Sequence, residues 1–587
     1  MNSSQTPLLL AGLFACSGLL AGWSDDPAQN TAIIVDPEAG MVQPKFAVLD
    51  DGGAYVSWFG GQGFNVYLQR INADGELLWN EAGVMVADRS FSSTEDYGLD
   101  VDADGFAVLA FRDDRFGGTR ITASRVSPDG DLDWGSDGVQ LTEEGSFVAS
   151  PRIAGASDGS IVAGWFEGGP TGLAGLDADG NVQWTEAVTG ENALAISDLR
   201  ASDEPGESGQ VIVLMRDMGM PTLPAQLYAQ KFDANGNALW GEDPVAIFEA
   251  GSLQIGNFPG FRPDGAGGMA VAWYQSQPAL QVYAQRLNAD GDAVFADGGV
   301  EVSTQAGQLR TDPDLSIDPD NLDLFVFWRE TDTNQSQFGL YGQYLNSAGQ
   351  RQWGDSAAEF IGLGEAGDVG QIRTIVLDGD PLVTVGTNDG GQIMEAARID
   401  RDAEPVWDPE FVLMTDTGSS LFNAVLADAG TGQAFLAWQD DRSGTYDIYA
   451  QNISVGGNLG IVEPGGPAIS VDLPASQIAL LEGQTGSLDI IVGNTGGEDL
   501  DWSVDVDGDC PLPEWAGVEP NTGTVAPGDE TDIQINLDAT GLEEDSYPFS
   551  VCIDSNDPEE SQVVVELELQ VLDALIFEDR FEAPPET

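Results

Sequence analysis

Three carboxylates at alternate positions are the first residues whose spacing suggests chemistry. Asp100, Asp102 and Asp104 precede Gly105, and several oxygen ligands in one loop are what a hard cation such as calcium requires. The positions expected to carry the later ligands of such a loop are apolar. A chain with 98 Asp and Glu also produces acidic clusters by chance. The three aspartates are therefore candidate calcium ligands, calcium is the one possible cofactor, and a chance cluster stays open.

The chain contains no histidine, which excludes Ser/His/Asp and Cys/His nucleophilic sites and all imidazole metal ligands. Arginines cluster in sequence at Arg112, Arg115, Arg120 and Arg125. Sialidase-like propellers need an arginine cluster with an acidic residue and a tyrosine, but their Asp-box motif is absent here. Arg115 and Arg442 both follow an Asp-Asp pair at one repeat position, which favours structural salt bridges. Paired carboxylates can hydrolyse glycosides, but among so many acids no pair stands out. No catalytic residue is assigned.

A Tyr-x-Gln pattern recurs along the chain. A ring of such side chains could contact a glycan near a channel. Recurrence at one position of every repeat favours a packing role instead. The pairs are Tyr67/Gln69, Tyr228/Gln230, Tyr283/Gln285, Tyr341/Gln343 and Tyr449/Gln451.

These residues sit on a repeat of about 55 residues, the period expected of a β-propeller. A Gly-x-x-x-Trp motif ends five of the units, Gly291–Phe295 is a conservative variant of it, and Trp407 keeps the register without the glycine. A second aromatic series leads this one by about 20 residues. Strand-turn-strand patterns between them predict four antiparallel strands per unit. We therefore predict an all-β protein with an eight-bladed β-propeller over 30–460. The tryptophans that carry the repeat are Trp58, Trp79, Trp134, Trp165, Trp184, Trp240, Trp273, Trp328, Trp353, Trp407 and Trp438.

The ends of the repeat array predict how the ring closes. The last unit loses its final strand, while residues 31–35 match that strand in other units. Because an open ring would leave two bare sheet edges, we predict that the N-terminal strand completes the last blade. A Pro/Gly linker then spans 461–468, a β-sandwich 469–573 and a flexible tail 574–587.

The N-terminal segment predicts export. An apolar run over 8–21 is too short for a membrane span and is followed by acidic sequence, so residues 1–22 are expected to be a signal peptide. Cys16 follows Leu-Phe-Ala and is a candidate for lipidation, an alternative that stays open. Cys510 and Cys552 remain; they are expected to form a disulfide, or else to be two buried thiols. The expected location is the exterior, periplasm or outer-membrane surface of a bacterium.

The net charge of −77 limits the partners of the chain. Phosphate backbones bind through cations, so nucleic acid is not expected as a partner, and anionic membrane surfaces are disfavoured. The acidity has two interpretations. It is the solvated surface of an exported protein, or an adaptation to high salt, where screening relieves self-repulsion.

The Gly-x-x-x-Trp units resemble tryptophan-docking repeats of the quinoprotein type, in which the motif joins one blade to the next. That resemblance implies propeller architecture. Quinone-dependent members also carry a vicinal cysteine pair, and the propeller here has no cysteine, so no quinone is expected. The sequences at 494–502, 520–528, 541–547 and 554–558 resemble immunoglobulin-like modules of the carbohydrate-associated type on bacterial surface proteins, which implies an immunoglobulin-like sandwich.

These observations lead to three functional hypotheses. The first is an exported, non-catalytic protein that binds a glycan or protein ligand on one propeller face, where loops vary without disturbing the core. The second is a glycan-active enzyme, a glycosidase or lyase, with the sandwich as an accessory module. The third is a structural envelope protein. A pocket at the propeller mouth with two carboxylates and an arginine would favour the enzyme, and a shallow face would favour the binder.

Overall fold

The computed structural model describes residues 22–572 except 37, 62, 91–96, 146, 191, 219–223, 249–250, 255–256, 278, 389–391, 462–465, 498, 505, 507–509 and 558–560. The predicted signal peptide, Cys16, the tail and half of the linker lie outside these residues. All regular elements of the described residues are β-strands, so the all-β prediction is confirmed. No helix that could cross a membrane occurs among them. The chain divides into two compact units, 1–461 and 462–587.

In its described residues the first unit contains eight sheets, built mostly from four antiparallel strands that follow one another in sequence. Five of the inner pairs form because apolar runs flank a tight Asp-Gly turn, as at Asp51 and Gly52, whose φ of 75° suits glycine. The strands of the first four sheets are β2 (Met41–Val48), β3 (Ala54–Gly60), β4 (Asn65–Ile71), β5 (Val84–Ala87); β6 (Gly98–Val101), β7 (Ala107–Asp113), β8 (Arg120–Val126), β9 (Val139–Gln140); β10 (Ala149–Gly155), β11 (Ile161–Phe166), β12 (Thr171–Leu176), β13 (Val182–Val188); β14 (Leu194–Ala201), β15 (Val211–Asp217), β16 (Leu227–Phe232) and β17 (Val245–Phe248).

The remaining sheets repeat this order, and the fifth splits its innermost strand in two. Their strands are β18 (Ser252–Leu253), β19 (Phe261–Pro263), β20 (Met269–Gln277), β21 (Gln281–Leu287), β22 (Val300–Glu301); β23 (Gln308–Ile317), β24 (Leu324–Asp332), β25 (Phe338–Leu345), β26 (Ala358–Ala366); β27 (Val369–Leu377), β28 (Asp380–Asn388), β29 (Gln392–Arg398), β30 (Val412–Thr415); β31 (Leu421–Asp428), β32 (Gln433–Asp440) and β33 (Asp447–Ser454).

The N-terminal strand β1 (Thr31–Ile34) completes the eighth sheet by pairing antiparallel with β33, and Thr31 lies opposite Ala450. This confirms the predicted closure of the last sheet. Trp23 adds to it, because its indole donates to the carbonyl of Ala73 in the first sheet at 2.8 Å. The fourth strand of the last sheet and the indole that joins this sheet to the first thus both come from the start of the chain.

A tryptophan at the end of the repeat unit joins most sheets to the next, and in the fifth unit Phe295 takes its place against Gly349. The indole of Trp240, for example, donates to the Ala289 carbonyl at 2.7 Å, and a Cβ on Gly291 would lie 2.6 Å from that indole. In the unit of Trp407 the motif has alanine in place of glycine, and this residue, Ala403, has a φ of 66°. The same indole-to-carbonyl bond recurs at Trp79 to Pro128, Trp134 to Ala178, Trp184 to Ala234, Trp353 to Arg401 and Trp407 to Val455.

The recurrent glutamines position these tryptophans. The side chain of Gln230 accepts from the backbone N–H of Trp240 at 3.1 Å and donates to the Gly241 carbonyl at 3.1 Å. Gln69, Gln285 and Gln343 make the equivalent pair of bonds in their own sheets. These four glutamines of the Tyr-x-Gln pattern are buried and have structural partners, which agrees with the packing role.

The second unit contains two sheets that share one hydrophobic core. The disulfide between Cys510 and Cys552 lies in this unit, and the predicted pairing is confirmed. One sheet has the order β34 (Ile469–Asp472), β36 (Thr485–Asn494), β40 (Glu530–Asp538), β38 (Ala516–Glu519), and the other β35 (Gln477–Leu481), β42 (Gln562–Leu572), β41 (Asp545–Ser555), β37 (Leu500–Val504), β39 (Thr522–Val525).

Candidate functional site: a charged central channel

The inner strands of all eight sheets line one cavity of about 460 Å³ in the first unit. We call this cavity the channel. Five cationic and three anionic side chains line it, a local excess of positive charge in a chain with 21 Lys and Arg against 98 Asp and Glu. The charged lining residues are Lys45, Asp100, Arg152, Asp198, Arg200, Arg262, Asp314 and Arg373.

A β-bulge in the inner strand directs several of these side chains. The register shifts between Val42 and Lys45, and the bulge residue Gln43 has φ of 57° although it is not glycine. Bulges bend a strand and re-aim the next side chain, and they are frequent beside functional sites. Four other inner strands also have a non-glycine residue in the left-handed conformation, each time two residues before a residue that lines the channel. These residues are Ser150, Asp312, Gln371 and Asn423.

Strand register shows that the channel residues occupy equivalent places in different sheets. Lys45, Arg152, Asp314 and Arg373 each pair with the same position of the second strand, opposite Ser57, Gly164, Phe327 and Thr384 respectively. The position thus carries a cation in three of these sheets and an aspartate in the fourth. A purely structural repeat would favour one residue type there, as the tryptophan and glutamine positions do.

The channel carboxylates brace neighbouring sheets. Asp100 accepts the backbone N–H of Gly155 at 3.1 Å, and Asp314 accepts that of Thr374 at 2.9 Å. Asp198 accepts the N–H of Phe261 at 3.2 Å. In each case the carboxylate belongs to one sheet and the N–H to the inner strand of the next. These three acids therefore have structural partners before any ligand arrives.

The arginines are bound more loosely. Arg200 contacts Asp198 at 3.2 Å and Arg262 contacts Asp314 at 3.3 Å, both at the long end of the range for charged pairs. Arg373 donates to the Ile372 carbonyl at 2.6 Å, and within the described part of the chain it forms no salt bridge. Donor groups of Arg262 and Arg373 therefore remain available to a ligand, since each guanidinium carries five N–H donors.

Burial changes the protonation of one acid in the channel. Burial raises the pKa of Asp100 to about 6, and the neighbouring Arg200 partly offsets this effect. The carboxylates of Asp198 and Asp100 in turn raise the pKa of Arg200, which stays cationic. The channel therefore becomes more positive as the pH falls through 6.

A second cavity of about 440 Å³ lies beside the channel, between the fifth and sixth sheets. We call it the recess; Arg262 and Arg373 line both spaces. Phe261 pairs with Val271 as Phe46 pairs with Val56, so Gly260 stands where the first sheet has Lys45. The missing side chain leaves the space open. The other polar and aromatic residues of the recess include Asn257, Phe258, Tyr274 and Asp312.

The predicted calcium ligands have other partners. Asp102 and Asp104 both contact Arg125, at 2.6 and 2.9 Å, while Asp100 faces the channel. No group of three Asp, Glu, Cys or His that could hold a metal occurs among the described residues. The calcium prediction therefore gains no support there. We call an ion pair between a cation of the third strand and an acid of the first turn of a sheet the clamp. Besides Arg125–Asp102 it occurs at Arg70–Asp51, Lys231–Glu204, Arg286–Asp264 and Arg398–Asp378.

Three of the arginines that cluster in sequence at 112–125 have separate partners. Arg115 binds Asp113 at 2.8 Å, whereas Arg120 lies 4.0 Å from Glu144 and Arg125 belongs to the clamp. Arg442 binds Asp440, whose carboxylate also accepts from Trp438, as expected for a structural pair. The arginines that do converge were not singled out from the sequence. Their signal was the parallel between Pro44-Lys45 and Pro151-Arg152 at one repeat position.

No family model matches the chain, and no curated protein matches it. Among solved structures, it is similar to the Dos1 propeller at 13% identity, over 74% of this chain and 96% of that one, with a TM-score of 0.40. It is also similar to an α-L-arabinanase of Penicillium chrysogenum complexed with arabinobiose, at 11% identity over 52% and 93%, with a TM-score of 0.31. A PapD-like domain of human CEP192 aligns at 14% identity over 18% and 86%, with a TM-score of 0.15.

Proposed function

We propose that this chain is an exported binding protein whose propeller holds a ligand in the channel and the recess, without breaking bonds in it. The observation that carries the proposal is the convergence of five cationic side chains on one cavity of an otherwise strongly acidic chain. The channel and the recess each have the volume of a small-molecule site. The disulfide and the predicted signal peptide support export.

The bonding of the acids favours binding over catalysis. Hydrolysis of a glycoside needs one carboxyl as acid and a second as base or nucleophile. Asp198 and Asp314 each hold both an arginine and a backbone N–H of the next sheet. Releasing either would unbrace two sheets, so these acids suit a rigid binding site better than proton transfer.

A glycan-active enzyme remains the second candidate, because Asp100 has the protonation that a general acid needs. Its pKa of about 6 keeps part of the population protonated near neutral pH. The channel also has the carboxylates and arginines that we expected of an enzyme. A test with Asp100→Asn separates the two functions: an enzyme loses turnover, whereas a binder has none to lose.

The binding proposal is tested by placing a bulky side chain at Gly260, where the recess meets the channel residue Asp198. Gly260 has ordinary backbone geometry, and a Cβ there would meet only the Asp198 carboxylate, at 3.2 Å. We expect Gly260→Phe to abolish binding of any ligand found by calorimetry across a panel of oligosaccharides and peptides. Gly169→Phe, where a Cβ meets nothing within 4 Å, is the control. Ligands that bind Gly260→Phe normally, or a panel without any ligand, would contradict the proposal.

A further inference from the structure

We infer that the ligand is an anionic sugar, whose negatively charged group is held by Arg262 and Arg373 and whose ring lies in the recess. This inference rests on the proposed function and names the class of ligand. Arg262 and Arg373 line both the channel and the recess, so a charged group bound between them can carry a sugar ring into the recess.

The charge distribution argues for an anion. The surface of such an acidic chain repels anions, so a binding site for one must concentrate cations locally. The channel does this with a fourth of all Lys and Arg of the chain, five of 21. Its three carboxylates are already engaged with backbone N–H groups of neighbouring sheets. A neutral ligand would require no such excess of positive side chains.

The hydrogen-bonding capacity of the arginines argues for a carboxylate or sulfate. Guanidinium groups bind planar or tetrahedral oxyanions through parallel N–H donors. Arg373 has one backbone acceptor at 2.6 Å and no salt bridge in the described residues, and Arg262 has one carboxylate at 3.3 Å. An oxyanion between them would satisfy donors that the protein leaves open.

The recess argues that the anion is carried by a ring. Phe258 is 38% exposed there, and Arg216 lies over its ring with 5.0 Å to the centroid. Tyr274 is half-buried, and burial with the nearby Asp312 raises its pKa above the ordinary tyrosine value, so its hydroxyl is neutral at physiological pH as in any ordinary tyrosine. Aromatic faces with an amide at Asn257 and a neutral hydroxyl suit a sugar, which has apolar faces and hydroxyl edges.

The decisive experiment compares one oligosaccharide with and without its charge. Isothermal titration with the full chain uses an oligogalacturonate and the same oligomer after methyl esterification. A sulfated oligosaccharide and the free ions acetate and sulfate distinguish the sources of the anion. We expect the esterified oligomer to bind about 10- to 100-fold more weakly, the cost of losing hydrogen bonds to a charged group. Binding should also weaken with added salt.

Variants locate the anion. Arg373→Gln and Arg262→Gln should each weaken the binding of the acidic oligomer about 10-fold or more. Neither variant should change the weak binding of the ester. Arg351→Gln is the control, since Arg351 pairs with Asp355 away from both cavities. Near-ultraviolet circular dichroism establishes that each variant is folded.

Each outcome bears on the inference. A charge-dependent preference for the carboxylated or the sulfated oligomer, lost in Arg373→Gln, supports it. Equal binding of acid and ester overturns it but leaves the proposed function intact, provided that Gly260→Phe still blocks binding. Free acetate or sulfate binding as tightly as the oligomer overturns the role of the sugar. No binding by either oligomer also overturns it, and the broader panel then decides the proposed function separately.

Discussion

Replacing Gly291 by alanine tests whether the indole-to-carbonyl contacts between units, such as that of Trp240 with Ala289, hold adjacent sheets together. We call such a contact a staple. Gly291 belongs to the fifth unit and has φ of 81°, and a Cβ added there would lie 2.6 Å from Cγ of Trp240 in the fourth. Real side chains do not approach so closely, so the buried indole must move. Movement would also strain its hydrogen bond to the Ala289 carbonyl, which is 2.7 Å long.

A second glycine of the fifth unit supplies the control. Gly298 has φ of 79°, and a Cβ there meets nothing within 4 Å. Alanine at either site bears the cost of the left-handed backbone, about 1–2 kcal/mol. Only Gly291→Ala adds overpacking against the indole, about 1–3 kcal/mol more. We therefore expect a loss in the free energy of unfolding of about 1–2 kcal/mol for Gly298→Ala and roughly 2–5 kcal/mol for Gly291→Ala.

Urea denaturation of the full chain measures the two losses, and hydrogen exchange of the fourth and fifth sheets locates them. A third variant makes the test specific. When Trp240→Ala removes the indole, Gly291→Ala should cost no more than Gly298→Ala does, because only the backbone cost is left. Equal losses for the two glycine variants in the natural background would refute the staple.

Three further predictions follow from other contacts. Gln230→Met should lower the free energy of unfolding by about 1–3 kcal/mol, because the buried N–H of Trp240 loses its acceptor and the carbonyl of Gly241 loses its donor; Gln183→Met on an exposed strand is the control in the same urea assay. Replacing Cys510 and Cys552 by serine should destabilise the second unit by about 4 kcal/mol through the loop between them and leave hydrogen exchange in the propeller unchanged. Since Asp100 has a pKa of about 6 when folded and 3.8 ordinarily, the native state binds the extra proton, so its contribution to stability falls as the pH rises from 4 to 6; the stability difference between the natural chain and Asp100→Asn, measured across that range, should show this slope.

The parts of the fold that repeat could be predicted from sequence. The pairing of Trp79 with the sheet of Gly130 follows from the spacing of one motif, and the closing strand follows from a missing last strand at the other end. Trp23 was overlooked because it stands alone, eight residues before β1, outside the run of motifs. Gly457 packs against Trp407 of the preceding unit. It could not be predicted, because the last unit has no Gly-x-x-x-Trp motif.

The candidate site was harder to predict, because sequence gives spacing but not partners. Asp102 and Asp104 have the spacing of calcium ligands, yet their oxygens contact Arg125, more than 20 residues further along the chain. Only comparison between sheets reveals that an arginine or lysine of the third strand clamps an acid of the first turn in five of them. The clamp gives those acids a structural role without any cation.

The same comparison identifies which cations the fold does not require. Clamp residues such as Arg125 and Arg286, and strand-end pairs such as Arg115 with Asp113, recur at fixed positions and are explained by the repeat. The channel cations follow no such rule: the position of Lys45 carries arginine, aspartate or glycine in other sheets. Repetition is the signature of packing in this chain, because every sheet faces the same structural demand. Variation at a position that the bulges aim into a shared cavity is therefore where selection by a ligand would act, and this is why the binding site is sought in the channel.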